Sequence, residues 1–419
     1  RCIWTMLRRV RSSDLGGLGG GQLLFMQSHD RREDRDVRVS VAGRGPVVLW
    51  DLRTGERLRL KSQSAPGRIE FDLRLPPTGS ALVSLGVPSR GAAAPTRPPR
   101  VASADSIDGR YAIERTEANT LPLDYCRFRL GEEPFSDLVP TLKADALIRS
   151  RFGLGDRLGR GHQPWYLYAT GVVDTSPRGR AEIRRSFHVS EVPSSCKLAI
   201  ERPEDFEILV NGQPAGPPDG WWVDEDIRAV DLTGLLKQGE NELLLRFEYR
   251  PDMELEDVYL VGEFGVGWRS EDRRPEGPTL IAPPESLEIG SWVGQGLDFY
   301  GGGVRYRLEA PPARPGQRVR IRLPEVACTA AVVHAGGRSY VLPWPPFEAD
   351  ITEGLSEGGN VVWVEVIGGR KNILGPLHVP WREWTGPGEF DPDNERWTDA
   401  YQLTDHGLMA APVIETLSS

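Results

Sequence analysis

Two stretches of this chain repeat each other at an offset of 119 residues, and few folds accommodate such a repeat. Phe187 aligns with Tyr306, Asp231 with Asp350, Thr233 with Thr352, Leu236 with Leu355, Gly239 with Gly358 and Asn241 with Asn360. The strings are RRSFHV against GVRYRL, and DLTGLLKQGENELLLRF against DITEGLSEGGNVVWVEV. Between these anchors the register slips, because ILVNG at 208–212 best matches VVHAGG at 332–337, so the middle loops differ in length. Solenoid units run roughly 20–50 residues, so a unit this long reads as a duplicated domain. A duplicated β-domain favours binding or scaffolding over one composite active site.

The 419 residues are enough for three domains, at roughly 100–200 residues each. An apolar content of 39% and a charged content of 26% suit a globular chain. Its 47 Gly and 35 Pro punctuate many short strands. A net charge of −9, with Arg interleaved among Asp and Glu, leaves no basic stripe for nucleic acid. No apolar run reaches the roughly 18 residues of a membrane helix. Cys2, Cys126, Cys196 and Cys328 are widely spaced without a CxxC pair, and read as small buried hydrophobes. The chain opens on Arg1 without an initiator methionine, so it reads as a fragment and leaves its compartment open.

Gly-rich residues near 16–21 lack the GK[ST] of a phosphate loop and read as a turn. Strands follow between Gln22 and Leu85 (LLFMQS, VRVSV, PVVLWDL, RIEFDLR, ALVSLG), with a hairpin turn at Asp51–Glu56 in which Gly55 suits positive φ. Alternation in VRVSV and RIEFDLR buries one face only, as in a sandwich. Residues 88–104 read as a linker, 111–117 as a strand, and Lys143–Phe152 as the one convincing helix, stopped by Gly153. The copies run from about 181 to 264 and about 280 to 366, divided by a Pro/charge hinge at 269–278 and followed by a Trp- and Pro-rich excursion. The expected fold is all-β: tandem sandwiches, the last two jelly rolls, with one or few short helices. The expected division is 1–100, 101–275 and 276–419.

Specific strings carry a family resemblance. Trp50, Asp51, Thr54, Gly55 and Glu56, with Pro77, Gly79 and Ser80, resemble the β-domain that follows the catalytic barrel in glycoside hydrolase family 106, the α-L-rhamnosidases and their relatives. Gln27 and Ser28 depart from that pattern, where an asparagine is expected. The two copies are similar to the galactose-binding-like jelly rolls of families 2 and 106. Copy one supplies Val210-Asn211-Gly212, Trp221-Trp222, Asp231-Leu232-Thr233 and Gly239-Glu240-Asn241. In copy two Gly336-Gly337 replaces the Asn-Gly pair, and Trp344, Pro345, Pro346 and Phe347 form the loop. KNILGPLH (371–378) and WTDAYQLTDHGL (397–408) resemble the closing segments of such domains.

The resemblance implies a non-catalytic accessory region of a hydrolase acting on rhamnose-containing or related glycans. Its partners would be carbohydrate and an upstream barrel in the same polypeptide, outside the cell or in the periplasm. No barrel's strand-helix alternation occurs in this chain, so no catalytic carboxylate pair is assigned. The alternatives are a structural or adhesive multi-β-domain protein, and a self-contained enzyme.

Sugar binding by a sandwich needs flat aromatic faces and hydrogen-bonding side chains. Trp221, Trp222, Asp224 and Asp226 in copy one meet that need, as do Trp344 and Phe347 in copy two, with Trp165 and Tyr166 a third site. Adjacent tryptophans on a strand face opposite ways, so one can be a platform while the other packs inward. Asp231 and Asp350 read as Asx caps, and Asn241 and Asn360 as shapers of the following turn. The acidic run Asp252, Glu254, Glu256 and Asp257 reads as facing water, with a structural calcium ion as the other option. No cofactor is expected. Glu263, Asp298, Glu365 and the six histidines offer no evident acid–base pair, and His188 reads as an outward strand residue.

Overall fold

The computed structural model describes residues 3–10, 21–53, 55–86, 100–155, 169, 171, 174–312, 314, 316–380 and 385–418. Cys2, Thr54, Trp165, Tyr166, most of the Gly-rich run and most of the 88–104 linker lie outside them. The described residues form β-sheets almost throughout, and Thr141–Arg151 is the one extended helix among them. It starts slightly before the expected position and ends where Gly153 takes a φ of 71°.

Near the N-terminus, five strands run in the order Ile3–Arg9, Gln22–Ser28, Ser80–Leu85, Val47–Trp50, Arg57–Leu60. They face a three-stranded sheet of Arg35–Ala42, Arg68–Leu75 and Gln63–Ala65. Period-two alternation sends Ile69, Phe71 and Leu75 inward onto Met26, Val47 and Val83, and leaves Asp72 exposed. The Asp51 hairpin forms as expected, with Gly55 N–H donating to the Asp51 carbonyl (2.8 Å) at a φ of 75°.

Copy one pairs a five-stranded sheet (Asn119–Leu123, Val258–Gly262, Cys196–Glu201, Asp224–Asp231, Pro218–Trp222) with a second sheet centred on Gly179–Val189 and Gly239–Tyr249. Copy two pairs Ser286–Glu288, Arg110–Arg115, Gly303–Ala310, Asn360–Ile367, Ala330–Ala335 and Arg338–Leu342 with Glu348–Asp350, Arg318–Arg322, Val413–Ser418 and Arg100–Ser106. Residues 101–106 and 110–115, which the sequence division groups with copy one, thus ladder onto copy two.

The hydrogen bonds reproduce the repeat. Asn241 Oδ1 accepts from Lys237 N–H (3.0 Å), while its Nδ2 donates to the carbonyls of Lys237 (2.7 Å) and Gly239 (3.0 Å). Asn360 does the same with Ser356 (2.8 and 3.1 Å) and Gly358 (3.0 Å). Asp231 and Asp350 each accept from the amide two residues on, Thr233 at 2.9 Å and Thr352 at 3.1 Å. The strand ladders correct one alignment. Phe187 pairs with Asn241, but Asn360 pairs with Ala310, so Phe187 corresponds to Ala310 and Tyr306 to Ile183. A slip of four residues escapes detection in sequence because it keeps every side chain on its own face.

Asn211 and Gly212 (φ 52° and 80°) match Gly336 and Gly337 (φ 54° and 78°). Asn211 uses its side chain, donating to Leu235 O (3.0 Å) and Asn241 Oδ1 (2.8 Å). Copy two has no room for one, since a Cβ on Gly336 would lie 2.2 Å from Gly354 O. Gly336→Ala is therefore expected to destabilise copy two by about 3 kcal/mol. Gly337→Ala, which opens onto free space, should lose only about 1–2 kcal/mol. Denaturant titration of both variants checks the order.

Candidate functional site

The sequence-selected tryptophans separate as their alternation requires. Trp221 is 57% exposed at the sheet edge. Trp222 instead meets the Tyr259 ring at 5.1 Å, although two strands lie between theirs. Strands sit roughly 4.8 Å apart, so the pair can meet only by reaching over the intervening side chains. On the intervening strands Ala199 and Ala229 face each other beside Tyr259 and are both buried, and Glu201 with Ile227 form the next pair on that face. Asp224 and Asp226 are exposed, and Asp224 Oδ1 accepts from Asp226 N–H at 3.0 Å. In copy two Trp344 is partly exposed, whereas Phe347 packs on the core.

A cavity of about 190 Å³ lies over copy one at a place that sequence reasoning did not select. Its floor carries Glu201, Ile227 and Tyr259 from the five-stranded sheet, and one wall is the start of the helix. The other wall comes from the C-terminal excursion, including His378, Phe390 and Trp397. Glu256 and Asp257, from the irregular segment before Val258–Gly262, complete it with Asp124. A shallower groove of about 820 Å³ shares Glu201 and passes Asp226.

Asp124 anchors the second wall. It is buried, accepting from Tyr401 Oη at 2.6 Å and from His378 Nε2 at 2.9 Å. His378 Nδ1 meets the Thr398 carbonyl at 2.9 Å. The ring is thus held at both nitrogens, by the Asp124 carboxyl on one side and the Thr398 carbonyl on the other. The ring stacks on Trp397 (4.9 Å) and meets Tyr401 at a tilt (4.8 Å). Behind the site Arg185, 2% exposed, donates to Leu123 O (2.9 Å) and Thr141 Oγ1 (3.2 Å).

Burial pushes the Asp257 carboxyl well above the usual carboxylate range, and the charges of Asp124 and Glu256 add to it. The Tyr259 phenol is raised mainly by burial. The cavity thus combines aromatic faces with a carboxyl inclined to hold its proton and so to donate. Each Asp124 oxygen accepts one hydrogen bond, which fixes the orientation of the carboxyl group.

Sequence reasoning missed this constellation because Asp124 and His378 are separated by 254 residues. The available signals were indirect: His378 and Trp397 lie inside the two closing segments, and Asp257 inside the acidic run. That run does not simply face water. Asp252 is buried and paired with Arg250 (3.1 Å) and Arg202 (3.4 Å), because residues 251–257 form a turn and an irregular segment instead of an exposed strand. No group of three or more His, Cys, Asp or Glu among the described residues is placed to hold a metal ion. Asp298 serves structure, accepting from Trp268 Nε1 at 2.8 Å, while Glu365 pairs with Arg305 at 2.9 Å and Glu263 with Arg115. His188 Nδ1 meets Thr279 Oγ1 at 2.8 Å.

A carboxyl raised in the folded state holds a proton that the unfolded chain has released. Its effect on stability is therefore favourable near the ordinary value of 3.8 and is lost as pH rises through the raised folded value. Asp257→Asn is expected to raise the melting temperature above that window by about 2–4 °C, with the gain vanishing below it. Melting curves of both proteins across pH test the sign.

No protein-family profile matches the chain, and no curated protein matches it in sequence. Solved structures similar to parts of it include a rhamnosidase from Novosphingobium sp. PP1Y (14% identity, TM-score 0.18, 61% of this chain and 25% of that one). Others are a GH2 β-galacturonidase from Eisenbergiella tayi (15%, TM-score 0.21, 60% and 37%) and an exo-chitosanase from Amycolatopsis orientalis (11%, TM-score 0.21, 62% and 30%). The chain spans between 25% and 37% of the length of these proteins.

Proposed function

We propose that this chain is a non-catalytic, carbohydrate-binding accessory region of a glycoside hydrolase acting on rhamnose-containing or related plant or microbial glycans. It comprises a post-barrel sandwich and two galactose-binding-like jelly rolls that accompany an upstream catalytic barrel of the same polypeptide. The observation that carries the reading is the cavity over copy one, where Tyr259, Phe390 and Trp397 offer faces to sugar C–H groups beside Glu201 and Asp257. The likeness of the Asp51 turn and of the two jelly-roll signatures to family 106 supplies the hydrolase context. In this reading the groove past Asp226 lets a longer glycan continue from the cavity, and exposed Trp221 adds an outer contact at the sheet edge.

Hydroxyl contacts each replace a contact to water, so one site should bind at roughly micromolar to millimolar Kd. Calorimetric titration of the full chain with rhamnose-containing oligosaccharides should find saturable binding, weakened about tenfold or more by Trp397→Ala. Aryl glycosides should not be turned over. Turnover that one Asp or Glu substitution abolishes would make the chain an enzyme in its own right. Absence of binding to any glycan would favour the structural or adhesive reading.

A further inference from the structure

We propose that the chain pairs with a second copy of itself along the edge strand Ile3–Arg9. The two strands run antiparallel about a two-fold axis at Met6, so that the N-terminal sheets of both molecules continue as one.

The five-stranded N-terminal sheet ends on Ile3–Arg9 at one side and on Arg57–Leu60 at the other. An edge strand carries unpaired backbone donors and acceptors, and proteins blunt it with short length, charge, proline or bulges. The Arg57–Leu60 edge is short and alternates arginine with leucine. The edge of copy one, Pro218–Trp222, starts on proline and carries register shifts. Ile3–Arg9 has neither device, and its first five residues, IWTML, bear no charge. It pairs with Gln22–Ser28 along its whole length without a shift, and among the described residues nothing pairs with its other side. Trp4 (46% exposed) and Leu7 (43% exposed) stand on opposite faces of it.

The strand is complementary to itself. An axis at Met6 sets Trp4 opposite the partner's Arg8, Thr5 opposite the partner's Leu7 and Ile3 opposite the partner's Arg9, and each pair recurs across the axis. The sheet already holds the first of these pairs at its other edge. Trp50 and Arg57 are direct cross-strand partners there, with the guanidinium 4.3 Å from the ring centre. Trp4 and Arg8 share the face of that pair, since Trp4 meets Phe25 at 6.0 Å, Phe25 faces Leu82, and Leu82 faces Trp50. Dimerisation thus repeats an existing cation–π contact twice. On the other face Leu7 meets the partner's Thr5 and, diagonally, the partner's Leu7, which takes both leucines out of water. Moving the axis to Leu7 parts Trp4 from Arg8, and moving it to Arg8 opposes two arginines. A strand pair this short buries less than the roughly 1,200–2,000 Å² of a stable complex, so the dimer is weak.

Sedimentation velocity of the full chain from about 1 to 300 µM should show a reversible monomer–dimer equilibrium with a Kd of about 1–100 µM. Thr5→Lys, at an exposed position, should weaken association at least about tenfold with an unchanged melting profile. Met6→Lys, which opposes two ammonium groups at the axis, should weaken it further. Met6→Cys in a Cys2→Ser background should form a disulfide-linked dimer on mild oxidation, because directly opposed Cα atoms lie about 4.5–5.5 Å apart. Arg9→Cys in the same background should not, since its two copies stand about 20 Å apart along the strands. A monomer throughout the concentration range overturns the proposal. So does a dimer that neither lysine variant weakens, or one that Arg9→Cys cross-links as readily as Met6→Cys.

Discussion

The cavity depends on one buried carboxylate. Asp124 joins a loop of the first jelly roll to His378 and Tyr401, which lie 254 and 277 residues further along the chain. Removing one partner of a buried hydrogen bond leaves the other unsatisfied and loses about 1–3 kcal/mol, whereas replacing both by apolar groups of the same shape is often nearly neutral. The pair is therefore better understood as fixing where the C-terminal excursion lies than as adding net stability. Tyr401 and Leu377 follow it into the core of copy one, and backbone bonds from Thr398 to His378 (2.8 Å) and Gln402 to Leu377 (2.7 Å) close the excursion on itself. The chain then returns to copy two, where Val413–Ser418 pairs with Arg318–Arg322. Copy two thus lies between two parts of the chain that build copy one's wall.

The architecture was largely legible in the sequence, for physical reasons that differ between elements. Asn241 and Asn360 declared themselves because a G-x-N turn uses its side chain locally, so its signature lies within a few residues. Gly336 and Gly337 were readable as replacements for Asn211 and Gly212 because positive φ restricts the residue choice. Strand register was not legible. Inward positions recur every second residue, so Phe187 and Tyr306 look equivalent although their ladders differ by four. The strand Arg110–Arg115 gave no sign that its partners were Gly303–Ala310 and Ser286–Glu288, since any alternating strand can pair with any other. The cavity was least legible. Trp221 and Trp222 attract notice as a pair, but Tyr259, His378 and Trp397 acquire their roles only through contacts made by the folded chain.

Comparison of the two copies explains why only one has this cavity floor. In copy one, Lys197 pairs with Asp231, and two positions along, Ala199 faces Ala229 with Tyr259 beside it. In copy two the matching pair is Arg320 with Asp350, and two positions along, Arg322 faces Glu348 with Val413 beside it. The large charged side chains there form a ladder, in which Arg320 reaches Glu348 at 3.2 Å and Glu415 at 2.6 Å, and Arg322 reaches Glu415 at 2.9 Å. Such a ladder keeps the sheet face occupied by its own side chains. In copy one the same positions hold two alanines beside Tyr259, whose ring meets Trp222 at 5.1 Å. The shared hydrogen-bonded turns keep both copies in one fold, while a pair of cross-strand positions decides what each sheet face can receive. Duplication makes that division feasible, because the face in copy two keeps its Arg–Glu ladder while the face in copy one, which retains the Lys197–Asp219 pair (2.9 Å), sets Tyr259 beside two alanines.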